Sequence, residues 1–389
     1  MKSRGHRLRK VALLIETTRS YTREILSGVR RFLSARGPWS AFLELRALES
    51  TPPEWLKGWD GEGILTRTYN RRMSELIDAI GIPAVELRST HFRGVRPFVG
   101  MDNAEVGRLA AEHLLNQGYR EMAVYGLRSE LFFEERVRNF ISTVRARGGV
   151  CEQWMEEDSD RTEDWEGTQE RLMGWVRGLP KPVGVFAAND QLAVRVLDAC
   201  RRLDLGVPED VAVLGAENEE TLCGFATPAL SSVALDGESV GYRAAELLER
   251  MMEGEAPGAG EVLVPPRGVV VRASSDAFAI TDRLVASAAR LIRENATSGL
   301  NVAELCRRLN ASRSTLDRRM KAVMQRTPKA EIQRVRFMEV ERLLRDTDLT
   351  VEEIAFRTGF AHSQYLHAAF WELRRMTPGQ FRKKTQAPG

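Results

Sequence analysis

Up to about residue 275, short apolar runs alternate with stretches in which apolar positions recur every three or four residues. Val11-Ala-Leu-Leu-Ile15 is one such run. A polar loop from Glu16 to Tyr21 follows it, and then a helical pattern in Ile25, Val29, Phe32 and Leu33. This order predicts a buried strand, a loop and an amphipathic helix. The pattern returns with strands at 41–45, 63–66, 83–87, 98–101, 122–127, 183–187, 211–215 and 231–235, and with helices at 73–80, 104–115, 134–147, 191–203 and 240–252. Strand-like runs at 262–264 and 269–271 close the series. Strands apolar on both faces, each leading into a helix, predict parallel, doubly wound sheets. The strands are too many for one such sheet, so two lobes are expected, with a ligand cleft at the carboxyl ends of the strands.

From residue 283 onward only helical periodicity remains, and one unit is written twice. Val302 and Leu305 match Val351 and Ile354 at an offset of 49, whereas Leu316, Met320 and Pro328 match Leu366, Phe370 and Pro378 at an offset of 50. A short helix, a turn and a second helix fit each copy, which is a helix-turn-helix. One residue has been added at the second turn, where Gly359 supplies the positive φ that a sharp reversal needs. Ser312 and Ser363 are placed to cap the second helices. The stretch from 272 to 280 loses the strand pattern and reads as a linker.

Charge separates these two parts. Residues 283–389 hold 21 Lys+Arg against 11 Asp+Glu, so the net charge of +3 hides a basic tail on an acidic body. A basic field on a repeated helix-turn-helix suits a phosphate backbone. The tail resembles the AraC/XylS family of DNA-binding domains, through Ile354-Ala355, Gly359-Phe360, Tyr365-Leu366, Phe370 and the run Arg374-Arg-Met-Thr-Pro-Gly-Gln-Phe-Arg382. Facing away from the apolar stripe of the first recognition helix are Arg313, Ser314, Asp317, Arg318 and Lys321. Arg318 suits guanine and Asp317 cytosine, whereas Arg313 and Lys321 suit phosphates. Asp317 is also spaced for an ion pair with Lys321. In the second helix Ser363, Gln364 and His367 face the groove, with Ala368 where the family often has Arg. A long helix at 329–344 would set the two recognition helices about 34 Å apart, one turn of duplex.

The body carries a second resemblance. Phe98-Val-Gly-Met-Asp-Asn103, Val185-Phe-Ala-Ala-Asn189-Asp190 and Val207-Pro-Glu-Asp-Val-Ala-Val-Leu-Gly215 are similar to blocks of the effector domain shared by lactose-repressor-type regulators and periplasmic sugar-binding proteins. The fold expected is thus an α/β two-lobed, doubly wound periplasmic-binding-protein-like domain (1–275), a linker (276–282) and an all-α domain with two helix-turn-helix units (283–389). The resemblance implies ligand contacts from Arg136, Asn189 and Asp190, and from Glu217 where the family usually has Asp. Glu16 and Tyr21 lie in the loop after the first strand and complete the candidate set. Arg136 is also spaced to pair with Glu134 or Glu135, Asp190 to cap a helix, and Phe132-Phe133 to join the core or stack on a sugar.

This domain order resembles that of the xylose operon regulators, and implies a transcription regulator whose sensor binds a small sugar, xylose or another pentose first. The partners implied are operator DNA, the sugar, a second copy of the chain and RNA polymerase. A solute-binding protein of sugar uptake is the first alternative, and a sugar-modifying enzyme fused to a DNA-binding domain the second. No nucleophile with a base, phosphate loop or metal-ligand spacing is apparent, so neither catalysis nor a metal or other cofactor is expected. The four cysteines lie far apart, in keeping with unpaired thiols. The apolar run at 11–15 is too short for a signal sequence, and no run of roughly 20 apolar residues exists to cross a membrane, so a cytoplasmic protein is expected.

Overall fold

A computed structural model describes residues 8–44, 52–88, 93–128, 130–157, 165–257, 260–276, 282–324, 326–360 and 362–386. The chain divides into two compact units, Met1–Ala277 and Phe278–Gly389. The expected linker, 276–282, falls mostly on residues outside those described.

Among the described residues the first unit holds two large sheets and a two-stranded one. Strands β1 (Lys10–Leu14), β2 (Ser40–Leu43), β3 (Gly63–Thr66) and β4 (Ala84–Glu86) form a parallel sheet in the order β2-β1-β3-β4. A parallel bridge from Glu86 to Phe98 continues it toward β5 (Val99–Met101). The second sheet contains β6 (Glu121–Leu127), β7 (Val150–Glu156), β8 (Val183–Ala187), β9 (Val211–Glu217) and β10 (Ser231–Ala234). The short β11 (Val262–Val264) pairs with β5, and β12 (Gly268–Val270) returns to the second sheet, whose order is β12-β10-β9-β8-β6-β7. The expectation of wholly parallel sheets fails at β12, which runs antiparallel to β10. It reaches the edge through the short return at 265–267, and an edge strand needs no helical crossover.

Helices α1 (Ser20–Arg36) and α2 (Arg71–Ile80) follow strands of the first sheet, and α3 (Asn103–Asn116), α4 (Leu131–Ala146), α5 (Trp165–Gly178) and α6 (Asp190–Arg202) belong to the second lobe. The short α7 (Glu220–Phe225) follows β9, and α8 (Gly237–Met252) crosses back to pack on α1. Every residue of β3, β4, β8 and β10 is buried, as apolar runs between helices require. Residues 272–275 are part of this unit, not a linker. Ser274 is fully buried, its hydroxyl donates to Val213 O at 2.6 Å, and its N–H donates to Ala229 O at 2.9 Å.

The second unit is all helix: α9 (Arg283–Asn295), α10 (Val302–Arg308), α11 (Arg313–Met324), α12 (Pro328–Asp346), α13 (Val351–Arg357), α14 (Ser363–Arg374) and α15 (Pro378–Gln386). Two apolar cores share α12. Its Ile332 joins Val285, Ile292, Leu305, Leu316 and Met320, while its Phe337, Val340 and Leu344 join Ile354, Leu366 and Phe370. Each such side chain contributes roughly 1.5–3 kcal/mol on burial. Arg336 of α12 ties the halves by donating to Ala296 O at 2.8 Å and to Leu300 O at 3.1 Å.

The turns explain the two offsets in the repeat. Asn310 (φ 49°) and Gly359 (φ 76°) make the left-handed reversal in their respective copies, and these positions are still 49 apart, so the added residue follows Gly359. Ser312 caps α11 as expected, accepting from Thr315 N–H at 3.2 Å. Ser363 does not cap α14. The added residue moves the cap position to His362, which makes no side-chain cap bond, and Ser363 becomes the first helical residue. Among the described residues no helix is long and apolar enough to cross a membrane.

Candidate functional site

The carboxyl ends of strands from both lobes meet at a small polar cavity, about 40 Å³, which has room for a few waters. From the first lobe come Arg19, which precedes α1, Tyr21 in its first turn, Arg67 after β3, and Leu87 and Arg88 after β4. Met101 ends β5, Asn103 begins α3, Phe132 and Arg136 lie on α4, and Glu217 ends β9. The cavity volume is well below that of an ordinary small-molecule pocket.

Arg136 is buried inside the cavity, not paired with Glu134 or Glu135 on the surface. Its Nε donates to Asn103 Oδ1 at 2.9 Å, its Nη1 to Ala188 O at 2.7 Å, and Glu217 lies 3.5 Å away. Desolvation lowers the Arg136 pKa against the pull of Glu217 and Tyr21. The guanidinium sits over the Phe132 ring at 5.1 Å. The Phe132-Phe133 pair therefore divides: Phe133 joins the core and Phe132 faces the cavity. Tyr21 also lines the cavity. Burial pushes its phenol up to about 12, with Arg67 the main opposing charge, so it stays a neutral hydroxyl.

Glu16 stands one layer behind the cavity. It holds Arg67, whose Nε lies 3.0 Å from both carboxylate oxygens. Arg88, Arg67 and Asn103 are lining residues that the sequence reading did not single out. Arg67 and Arg88 follow short strands, a position that could have flagged them, and Asn103 sat inside a recognised block. Arg88 is 3% exposed and reaches across the cleft to the Glu130 carboxylate. Its backbone is fixed by Glu86, whose Oε1 accepts from the N–H groups of Thr68, Leu87 and Arg88 at 3.0–3.2 Å.

Asn189 and Asp190 are not among the cavity-lining residues. Asn189 Oδ1 accepts from Leu192 N–H at 2.8 Å and so caps α6. Asp190 braces the turn after β9. Its Oδ2 accepts from Glu219 N–H at 2.8 Å and its Oδ1 from the Ser232 hydroxyl at 2.6 Å, while Ser232 Oγ accepts from Asn218 N–H at 2.9 Å. The turn needs a brace because Glu217 (φ 108°) and Asn218 (φ 52°) both have positive φ, a conformation costly for side-chain-bearing residues. Asp190 thus acts through Glu217, which does line the cavity. Burial pushes the Asp190 carboxyl up to about 7, against hydrogen bonds that favour its charged form.

In the helical unit the residues expected to face DNA are displayed on α11 and α14. Arg313, Ser314, Arg318 and Lys321 are exposed. Asp317 pairs with Arg313 at 3.8 Å, not with Lys321, one turn the other way. Arg318 and Lys321 make no ion pair among the described residues. On α14 Gln364 and His367 are exposed and Ser363 is half-buried. The offset of 50 superposes Arg313, Ser314, Asp317, Arg318 and Lys321 on Ser363, Gln364, His367, Ala368 and Trp371. Every Arg, Lys and Asp of the first face is thus replaced in the second.

Comparison with known proteins joins the two parts. Residues 111–275 match the model of a periplasmic binding protein-like domain, and residues 305–384 that of a helix-turn-helix domain. Over 386 residues the chain is 30% identical to the xylose operon regulatory protein of Escherichia coli strain K12, covering 96% of each. The chain belongs to the family of xylose operon regulatory proteins. The family member from Haemophilus influenzae strain Rd is 28% identical, over 96% of this chain and 98% of the relative. The solved structure of the xylose-binding transcription activator xylR superposes with a TM-score of 0.81 at 28% identity, over 98% of this chain and all of that one. Membership makes the chain a DNA-binding transcription regulator, with an α/β binding-protein-like domain ahead of a helix-turn-helix domain.

Proposed function

We propose that the chain senses a small sugar in the inter-lobe cavity and answers by changing its hold on operator DNA, thereby controlling genes of sugar breakdown. The observation that carries this reading is the cavity itself. Guanidinium, carboxylate, amide and phenol groups converge there from both lobes around one aromatic face, Phe132. Such a set suits a ring that presents hydroxyls at its rim and C–H groups on its face. The names of the relatives point to xylose, and a pentose is the first sugar to test. Tyr21, Arg136 and Glu217 touch it directly in this reading. Glu16 acts through Arg67, Asp190 through the turn at Glu217, and Asn189 through the start of α6.

DNA is held by the faces of α11 and α14, with Arg313, Ser314, Asp317, Arg318 and Lys321 on one and Ser363, Gln364 and His367 on the other. The regulator works as a homodimer, with the region 102–115 as the contact, and meets RNA polymerase at the promoter. A gel shift on duplex from the promoter of the adjacent sugar genes, with and without D-xylose and other pentoses, tests the core of this. Sugar-dependent retardation is expected. Retardation that no sugar alters would remove the sensor reading, and absence of retardation the DNA reading.

A further inference from the structure

The cavity has many more donors than acceptors. Four guanidinium groups line it, those of Arg19, Arg67, Arg88 and Arg136, together with the Tyr21 hydroxyl. Among the described residues its one lining carboxylate, Glu217, already faces Arg136 at 3.5 Å, and Asn103 Oδ1 is taken by Arg136 Nε. Behind the lining, Glu16 answers Arg67 and Glu130 answers Arg88. Arg19 makes no ion pair among the described residues and shares only the field of Glu130 with Arg88 and Arg67.

Arg88 points the same way from a separate observation. Its side chain is 97% buried, yet its Nε and Nη1 have no hydrogen-bond partner among the described residues. Those two nitrogens carry three N–H donors. Leaving buried donors of a charged group unmade costs more than leaving neutral ones unmade, and Arg88 borders the cavity where an acceptor would sit.

A neutral sugar satisfies such a site poorly. Each of its hydroxyls brings a proton that needs an acceptor, and the one carboxylate among the described lining residues, Glu217, already faces Arg136. A carboxylate or phosphate brings acceptor oxygens and no proton, and adds negative charge to a lining of four guanidiniums and one carboxylate. Arginine forks bind such planar or branched anions in charge-assisted pairs.

We infer that the effector of this chain is an acidic sugar, a sugar carboxylate or sugar phosphate whose anionic group is held by Arg88 with Arg19 or Arg67 beside it. The inference rests on the reading of this cavity as the effector site, and it narrows the effector to an anionic sugar. Glu217 and Phe132 then hold the hydroxyls and the ring.

The test uses the full chain and matched probes: D-xylose with D-xylonate, D-glucose with D-glucuronate, and D-glucose 6-phosphate, read by thermal shift and titration calorimetry, with acetate and inorganic phosphate as plain anions. The acid of at least one pair should bind at least tenfold more tightly than its neutral partner, and its affinity should fall with added salt while that of the neutral partner does not. The glucuronate and 6-phosphate arms separate carboxylate from phosphate. Arg88→Gln should weaken the acid at least tenfold and bring it level with the neutral sugar. The salt comparison on the unaltered chain decides the matter where that variant folds poorly. Tighter binding of D-xylose than of D-xylonate, with no acid or phosphate outdoing its neutral partner, overturns the inference and leaves the sugar-sensor reading standing. No response to any probe at millimolar concentration overturns both. Equal response to acetate or phosphate alone reduces the site to a bare anion site and also overturns it.

Discussion

A Cβ built on Gly359 would stand 3.0 Å from the backbone oxygen of Thr297, so the turn of the second helix-turn-helix is seated against the first half of the helical unit. Gly359 also has φ 76°. An alanine there meets a left-handed backbone cost of about 1–2 kcal/mol and the carbonyl together. Gly359→Ala should lower the melting temperature of the helical unit and weaken operator binding, with sugar binding unchanged. A melt and a gel shift on the same variant check this; unaltered values in both would show that the seat is loose.

The recognition faces differ, and so should their energetics. Arg318→Ala is expected to cost roughly 1–3 kcal/mol of specific binding with relaxed discrimination at one base pair, whereas Lys321→Ala should weaken all duplexes alike and lower the salt slope by about 1. On α14, Gln364→Ala should relax a preference for adenine, the base that a glutamine amide reads. Selection from a randomised duplex pool, done with each variant, reports all three.

Asp190 makes the sensing unit pH-dependent. Its carboxyl titrates near 7 when folded, above its ordinary value of 3.8. The folded state therefore keeps a proton that the unfolded chain has lost. Stability from this group is complete below about pH 4, declines as pH rises, and is gone above about pH 7. Asp190→Asn retains an oxygen for Glu219 N–H and cannot ionise. The stability difference between the two proteins should grow in favour of Asn from pH 4 to 7 and level off above. Parallel curves from urea unfolding across that range would count against the brace.

Arg136→Ala should abolish the sugar response. It leaves Asn103 and Glu217 without their cation, a loss of roughly 2–5 kcal/mol when buried charged partners are stripped. Operator binding without sugar should stay at its unliganded level. A variant that still shifts with the same sugar at the same concentration removes Arg136 from the site.

A fragment ending at residue 276 should fold and bind effector by itself, provided that it keeps Ser274. Fragments stopping at 271 lose the bonds from Ser274 to Val213 and Ala229 and should melt lower. Differential scanning of the two fragments separates them.

The alternation of apolar runs and amphipathic helices was enough to place the buried strands, because strands enclosed by helices have to be apolar at every position. Edge strands escape that demand. β7, Val150-Cys-Glu-Gln-Trp-Met-Glu, lies at the rim of its sheet with much of its length exposed, so it shows no apolar run and went unread. The same holds for α5, which buries only Gln169, Leu172 and Val176. Of the residues lining the cavity, Arg136 and Glu217 were legible through the family resemblance and Tyr21 through its place after the first strand. Arg88 was not, since its place depends on a pairing with Glu130 forty-two positions away and on Glu86 fixing its backbone. The bonds of Asp190 to the turn after β9 were not legible, because strand ends nominate residues without saying which way they turn, and the strained turn at Glu217 is visible only in three dimensions.

The added residue after Gly359 and the exchanged side chains on α14 leave the two copies alike in frame and unlike in what they display. A stretch of duplex that suits both is therefore not equivalent when turned end for end, and a single molecule bound to it has a heading. Inverting the operator in place, with its sequence and distance to the start site kept, would turn the opposite flank of the regulator toward the transcribed gene.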